Sequence, residues 1–200
     1  TVFSVMAILF IPPAGWLSDR IGRKRVIVPC LILAGIGGAV CAAAVVWLDR
    51  SYPFLLAGRV LQGIGAAGAA PVVMPLVGDL FRSKEQVSEG LGLIETSNTF
   101  GKVLSPIIGA ALALIVWYAP FLAIPVFAAA AALLVGLLVR TPAQPGEPQP
   151  LPAFLRALRR VFRRHGRWLL AVFALGGLGM FFLFAGLVHL SDVLEDRLGL

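Results

Sequence analysis

Long runs of apolar residues, separated by short polar stretches, make up most of the chain. A helix that crosses the hydrocarbon core of a membrane needs about 20 largely apolar residues in a row. Six runs have about this length, which predicts an all-α membrane protein with six transmembrane helices. The predicted spans are residues 1–18, 26–48, 53–80, 88–116, 119–139 and 168–190.

The composition agrees with this pattern, because 59% of the residues are apolar, only 14% are charged, and the mean hydropathy is +0.92. The net charge of +7 lies almost entirely between the spans, which argues against nucleic-acid binding. Cys30 and Cys41 are eleven residues apart in one predicted helix, too far for a disulfide, and no metal-ligand spacing occurs. The chain begins at Thr1 inside an apolar run and ends at Leu200 without a closing element, so we expect a fragment.

The basic residues predict the orientation of the spans. Counted gap by gap, Lys and Arg number 4, 1, 2, 0, 7 and 1, a strict alternation. Because loops rich in Lys and Arg stay inside the cell, segments 19–25, 81–87 and 140–167 are predicted to be cytoplasmic. The protein is therefore expected in the plasma or inner membrane, in contact with its lipids.

The longest gap, residues 141–167, has two parts. The first, "TPAQPGEPQP", is a proline-rich linker that cannot be helical. The second, "FLRALRRVFRRHGRW", places apolar residues on one helical face and arginines on the other. This pattern fits a basic amphipathic helix on the anionic inner leaflet. The alternative, compatible with the first, is that the arginines only fix the topology.

The polar stretch "GWLSDRIGRKRVI", residues 15–27, separates the first two spans. It predicts a tight turn of about seven residues, in which Gly15 and Gly22 allow close approach and a sharp bend. From physical chemistry alone, fixing the topology is the favoured role. The stretch also resembles the signature loop between helices 2 and 3 of the major facilitator superfamily. The matching residues are Gly15, Leu17, Ser18, Asp19, Arg20, Gly22, Arg23 and Lys24.

This resemblance implies a truncated major facilitator bundle that covers family helices 2–7. Residues 1–140 would be most of the N-terminal half, 141–167 the central cytoplasmic loop, and 168–200 the first helix of the C-terminal half. The resemblance further implies that the loop latches the two halves together. Asp19 would face a helix end of the other half, and Arg23 would pair with Asp79. Without the resemblance, Asp79 is an ordinary interfacial acid.

An arginine lies within the third span, where an ionisable side chain is costly. Arg59, Gln62 and Gly63 resemble a family motif that the exporters use in proton coupling. The small residues of "GRVLQGIGAAGAA" also favour close helix packing. The alternative is that Arg59 snorkels to the outer surface.

A polar stripe follows one face of the fourth span, within a sector of roughly 120°. Its members are Glu95, Asn98, Thr99, Lys102 and Ser105, and we expect the first four to line a substrate cavity. Glu95 would attract a proton or a cationic substrate, and Lys102 would repel a cation. The alternative is a buried polar network that only holds the bundle together.

The same span contains "GKVLSPIIGA", which resembles the motif of the antiporter branch of the family. Gly101, Pro106 and Gly109 match, whereas Ser105 and Ala110 replace two glycines. The replacements are small and should preserve close packing, and Pro106 can bend the helix.

Together these resemblances imply a twelve-helix drug:proton antiporter, a monomer when full length, that would export drugs or other small lipophilic or cationic compounds by alternating access. Its partners would be the substrate, protons and membrane lipids. No cofactor, metal or enzymatic activity is expected. The alternatives are a sugar or metabolite permease of the same fold, a channel or structural membrane protein, and an inert truncated chain.

Overall fold

The computed structural model describes residues 2–47, 51–81, 83–140 and 150–198, and these residues form six helices. All six are long and apolar enough to cross a membrane, which confirms the predicted class. The helices are α1 (Val2–Ile21), α2 (Arg23–Val46), α3 (Tyr52–Leu80), α4 (Lys84–Ile115), α5 (Ala119–Leu138) and α6 (Leu151–Leu198).

Local sequence explains where several helices begin. Proline stands in the first turn of α3 and of α5, where its missing N–H would have no intrahelical partner. Ser83 caps α4 by accepting a hydrogen bond from the backbone N–H of Gln86, at 3.2 Å. Five of the helices contain internal prolines, which membrane helices tolerate.

The last helix differs from the predicted arrangement. We expected an amphipathic helix and a separate span from residue 168, but α6 runs without interruption through both. The reason is that near residue 168 the side chains change from charged to apolar, but no residue there ends a helix. After Pro152, in the first turn, α6 contains no proline that would end it. The linker at residues 141–149 lies outside the described residues.

The chain divides into two compact units, Thr1–Pro148 and Gln149–Leu200. In the first unit, α3 packs against α1 and α2, and α2 also packs against α5. The centre of this packing is a buried apolar cluster of Ile27, Val72 and Leu76. Helix α4 makes fewer contacts, with α3 and α5, and none of its described residues is buried.

Helices α2 and α3 approach each other closely, as the small residues predict. A Cβ atom added at Gly58 would lie 2.7 Å from the carbonyl oxygen of Gly37. One added at Gly65 would lie 2.5 Å from the carbonyl oxygen of Cys30. Only glycine allows the two backbones this separation, so these positions hold α2 and α3 together.

Candidate functional site

The polar turn, residues 15–25, is tighter than predicted. Helix α1 ends at Ile21 and α2 begins at Arg23, so a single residue, Gly22, joins them. Gly22 has φ 103°, a conformation that side chains with a Cβ rarely adopt, and its N–H donates to the carbonyl of Ser18 at 3.1 Å. Most of the predicted loop is therefore helical, and its charged side chains project from two helix ends.

Arg23 is the centre of the charged cluster in the polar turn. Its Nη1 atom lies 3.2 Å from Oδ1 of Asp19, and its Nε atom forms an ion pair with Oδ2 of Asp79. The Arg23 side chain is 15% exposed, whereas those of Asp19 and Asp79 are 58% and 36% exposed. One guanidinium thus links the polar turn to the end of α3.

The neighbouring cation reaches a different helix. Lys24 donates from Nζ to the carbonyl oxygen of Val139, the residue after α5, at 2.7 Å. A backbone carbonyl leaves no signal in residue type, so only the fold reveals this contact.

The remaining residues of the polar turn have varied surroundings. The guanidinium of Arg20 lies 5.4 Å from the ring centre of Trp16, a cation–π contact. Leu17 is exposed. Ser18, to which we had assigned no role, is buried and donates to the carbonyl of Gly15 at 2.7 Å. A Cβ on Gly15 would meet no atom within 4 Å, so the close approach expected at this glycine is absent among the described residues.

The residues proposed for proton coupling lie where three helices meet. Nη1 of Arg59 donates to Oε1 of Gln62 at 3.2 Å, and Gln62 is buried. A Cβ on Gly63 would lie 2.5 Å from the carbonyl oxygen of Phe3 in α1, and one on Gly37 in α2 would lie 2.9 Å from Cγ of Gln62. The guanidinium is therefore tied to an uncharged side chain inside the first unit.

The polar stripe of α4 is exposed on the surface of this unit. Glu95, Asn98, Thr99 and Lys102 all lie on it. Nδ2 of Asn98 donates to Oε1 of Glu95 at 3.5 Å. Beside the stripe runs an open groove of about 610 Å³, lined by Gly92, Glu95, Thr96, Thr99, Phe100 and Val103.

The antiporter motif lines a second groove, of about 490 Å³, between α4 and α5. Gly101, Ser105 and Gly109 form part of its wall, and Phe127 of α5 lines it as well. A Cβ on Gly101 or Gly109 would meet no atom within 4 Å in the described part of the chain. At these two glycines α4 makes no close contact with the other described helices, and the expectation that the motif mediates close packing stays a prediction. Helix α4 continues through Pro106.

Six helices that are long and apolar enough to cross a membrane, the first two joined by a charged turn, define the chain as part of a multi-pass membrane protein. The sequence profile of the Major Facilitator Superfamily matches residues 1–200. The chain belongs to this superfamily, whose members are transporters and not enzymes, and it lies in the inner membrane.

Several relatives have names that refer to export or drug resistance. The chain is 52% identical over 198 residues to the bacillibactin exporter of Bacillus subtilis, covering 98% of this chain and 49% of that protein. It is 34% identical over 162 residues to the class C tetracycline resistance protein of Escherichia coli, covering 80% and 38%. It is 31% identical over 105 residues to the putative multidrug resistance protein MdtD of Yersinia enterocolitica, covering 50% and 20%. The chain thus spans at most about half the length of these relatives.

Proposed function

We propose that the protein carrying this chain exports small lipophilic compounds, including drugs and organic cations, in exchange for protons by alternating access. The observation that carries the proposal is the bridge from Arg23 to both Asp19 and Asp79. It joins two helix ends where the resemblance expects a latch. The names of the relatives support outward transport.

The bridge suits a contact that must open and close in every cycle. Ion pairs between partly exposed groups contribute only about 0–1 kcal/mol, because water competes for both charges. Asp19 is 58% exposed, so its contact with Arg23 breaks at little cost. In the complete transporter, Asp19 would then exchange between Arg23 and a helix end of the other half.

In this proposal, Arg59 and Glu95 couple transport to proton movement. A guanidinium keeps its charge, so Arg59 cannot itself carry the proton. Its partner Gln62 is a neutral amide, so this hydrogen bond holds the guanidinium without adding an opposing charge. Glu95, in the open groove of α4, is the carboxylate we propose for binding the proton or the cationic substrate.

A second substrate is favoured by one comparison. The identity of 52% to the bacillibactin exporter extends over 98% of this chain, which makes bacillibactin itself a candidate substrate.

A chimera tests the proposal directly. In it, this chain replaces the matching half of the bacillibactin exporter of Bacillus subtilis. Inverted membrane vesicles containing the chimera are given a pH gradient, and accumulation of bacillibactin, tetracycline and a cationic dye is measured. We expect accumulation that a protonophore abolishes. Equilibration of the compounds without accumulation, whether or not a pH gradient is present, would indicate a channel. Transport in the inward direction would indicate a permease, and no transport by an inserted chimera would refute the proposal.

A further inference from the structure

Two consecutive cations at the start of α2 hold the ends of two different helices. Arg23 forms its ion pair with Asp79, near the end of α3. Lys24 donates to the carbonyl of Val139, which directly follows α5. The first turn of α2 thus contacts both helix ends through side chains that are adjacent in sequence.

The partner of Lys24 is well suited to an ammonium group. The last carbonyls of a helix have no intrahelical donor and carry a partial negative charge. The N–H of Val139 already donates to the carbonyl of Val135 at 3.2 Å, and its carbonyl accepts from Lys24 at 2.7 Å. A charge-assisted hydrogen bond of this kind is stronger than one between neutral groups.

An apolar contact acts at the same residue. Val139 packs against the buried cluster of Ile27, Val72 and Leu76, which belong to α2 and α3. This apolar contact holds the end of α5 close to α2, but it does not fix the orientation of the backbone at Val139. The hydrogen bond from Lys24 fixes that orientation, because it requires the carbonyl to point at one atom.

The next basic residue provides a comparison. Arg25 is exposed, and its side chain forms no hydrogen bond or ion pair within the described part of the chain. Arg25 has the same charge as Lys24 and lies beside it, but it lacks the contact to α5. Substitutions at the two positions therefore separate the hydrogen bond from the general effect of a positive charge.

We infer that Lys24 is a positioning residue that fixes the end of α5 to the polar turn. The chain continues from Val139 through residues 141–149 to the second unit. The end of α5 therefore moves with the turn that carries Asp19 and Arg23. The inference rests on the proposed function in one respect, namely that this turn acts as a latch during transport.

The contact itself is tested on the chain in lipid nanodiscs, without any transport assay. Spin labels are attached at Ile21 and Leu138, which are both exposed, after Cys30 and Cys41 are replaced by alanine. We expect one narrow distance distribution in the parent. Lys24→Gln should broaden it clearly, whereas Lys24→Arg, which can still donate, and Arg25→Gln should leave it narrow. A narrow distribution in Lys24→Gln, or equal broadening in Arg25→Gln, would overturn the inference.

Its consequence for transport is tested in the chimera. Lys24→Gln should lower the maximal rate by about tenfold, the change expected from losing a hydrogen bond to a charged group. KM should stay unchanged, because Lys24 is not among the residues that line the proposed cavity. Lys24→Arg should restore the rate, and Arg25→Gln should not lower it.

Negative results in the distance measurement and in the transport assay refute different claims. Broadened distances with a normal transport rate would refute the role of Lys24 in transport. An unsubstituted chimera without any transport would refute the proposed function, and the distance distributions would still decide whether Lys24 positions α5.

Discussion

Arg23 and Arg59 carry the same guanidinium group, but their partners differ in charge. Arg23 meets two partly exposed carboxylates at a helix end, where the pairs can open in water. Arg59 meets the neutral amide of Gln62 inside the first unit. The first arrangement suits a contact that is made and broken, and the second suits a permanent positive charge.

Substitution of Arg59 tests its proposed part in coupling. Arg59→Lys keeps the charge but loses the planar fork, and Arg59→Ala loses both. In the chimera, both changes should abolish accumulation driven by the pH gradient, while downhill equilibration of the substrate persists. Arg25→Lys is the matched control and should behave like the parent. If vesicles with the Arg59→Lys variant accumulate substrate as the parent does, Arg59 has no part in coupling, and its side chain only extends to the outer membrane surface.

The charges of the α4 stripe predict a selective effect on substrates. Glu95→Gln removes the negative charge in the open groove and should weaken binding of cations more than of neutral compounds of similar shape. Lys102→Met removes a repelling charge and should not weaken cations. The measurement is the affinity of both variants of the chimera for a cationic dye and for a neutral dye of matched shape. Equal losses for both dyes in Glu95→Gln would mean that the stripe is structural.

At the scale of single residues, the sequence indicated some contacts and left others hidden. The pair of Arg23 and Asp79 was expected because both residues occupy motif positions in the resemblance. The contact of Lys24 with Val139 was missed, because the acceptor is a backbone carbonyl that any residue would provide. The open space at Gly101 and Gly109 was missed because glycine marks both close packing and a vacant surface.

Among the helices, α2 and α3 depend most on glycine for their packing. Gly65→Ala would place a methyl group 2.5 Å from the carbonyl oxygen of Cys30, and the helices would have to separate. Overpacking of this kind costs about 1–3 kcal/mol. Gly136→Ala in α5 is the control, since no atom lies within 4 Å of the added Cβ. Thermal unfolding in detergent should show a lower Tm for Gly65→Ala only, and equal Tm values would contradict the packing described here.

Helix boundaries followed from apolar runs where prolines or polar residues limit them. The third span was predicted at 53–80 and is Tyr52–Leu80, with proline in its first turn. The last span was predicted to begin at residue 168, but α6 begins 17 residues earlier, at Leu151. The prediction placed the boundary where the arginines end, whereas the helical backbone continues through that point. Charge decides what enters the membrane, but it does not by itself end a helix.

For the whole molecule, the charge pattern predicts on which side of the membrane each helix end lies. Arg23, Lys24, Asp79 and Val139 come together, which places the ends of α3 and α5 beside the polar turn. This agrees with the expectation that the ends of α3 and α5 lie on the same side of the membrane as segment 19–25.

Labelling of intact cells tests that orientation. Single cysteines are introduced at Ser51 and Arg156 of the chimera after all native cysteines are removed. An impermeant thiol reagent should label the cysteine at 51 and not the one at 156, and permeabilised cells should label both. Labelling only at 156 before permeabilisation would reverse the topology.

The most direct test of the account is a charge exchange between Arg23 and Asp79. Arg23→Asp and Asp79→Arg, each alone, place like charges together and should lower gradient-driven export by the chimera by about tenfold or more, equivalent to ~1.4 kcal/mol. The double variant restores an attractive pair and should recover much of the lost rate, at equal amounts of protein in the membrane. Parental rates in the single variants, or a double variant no better than either, would show that this ion pair is not the latch.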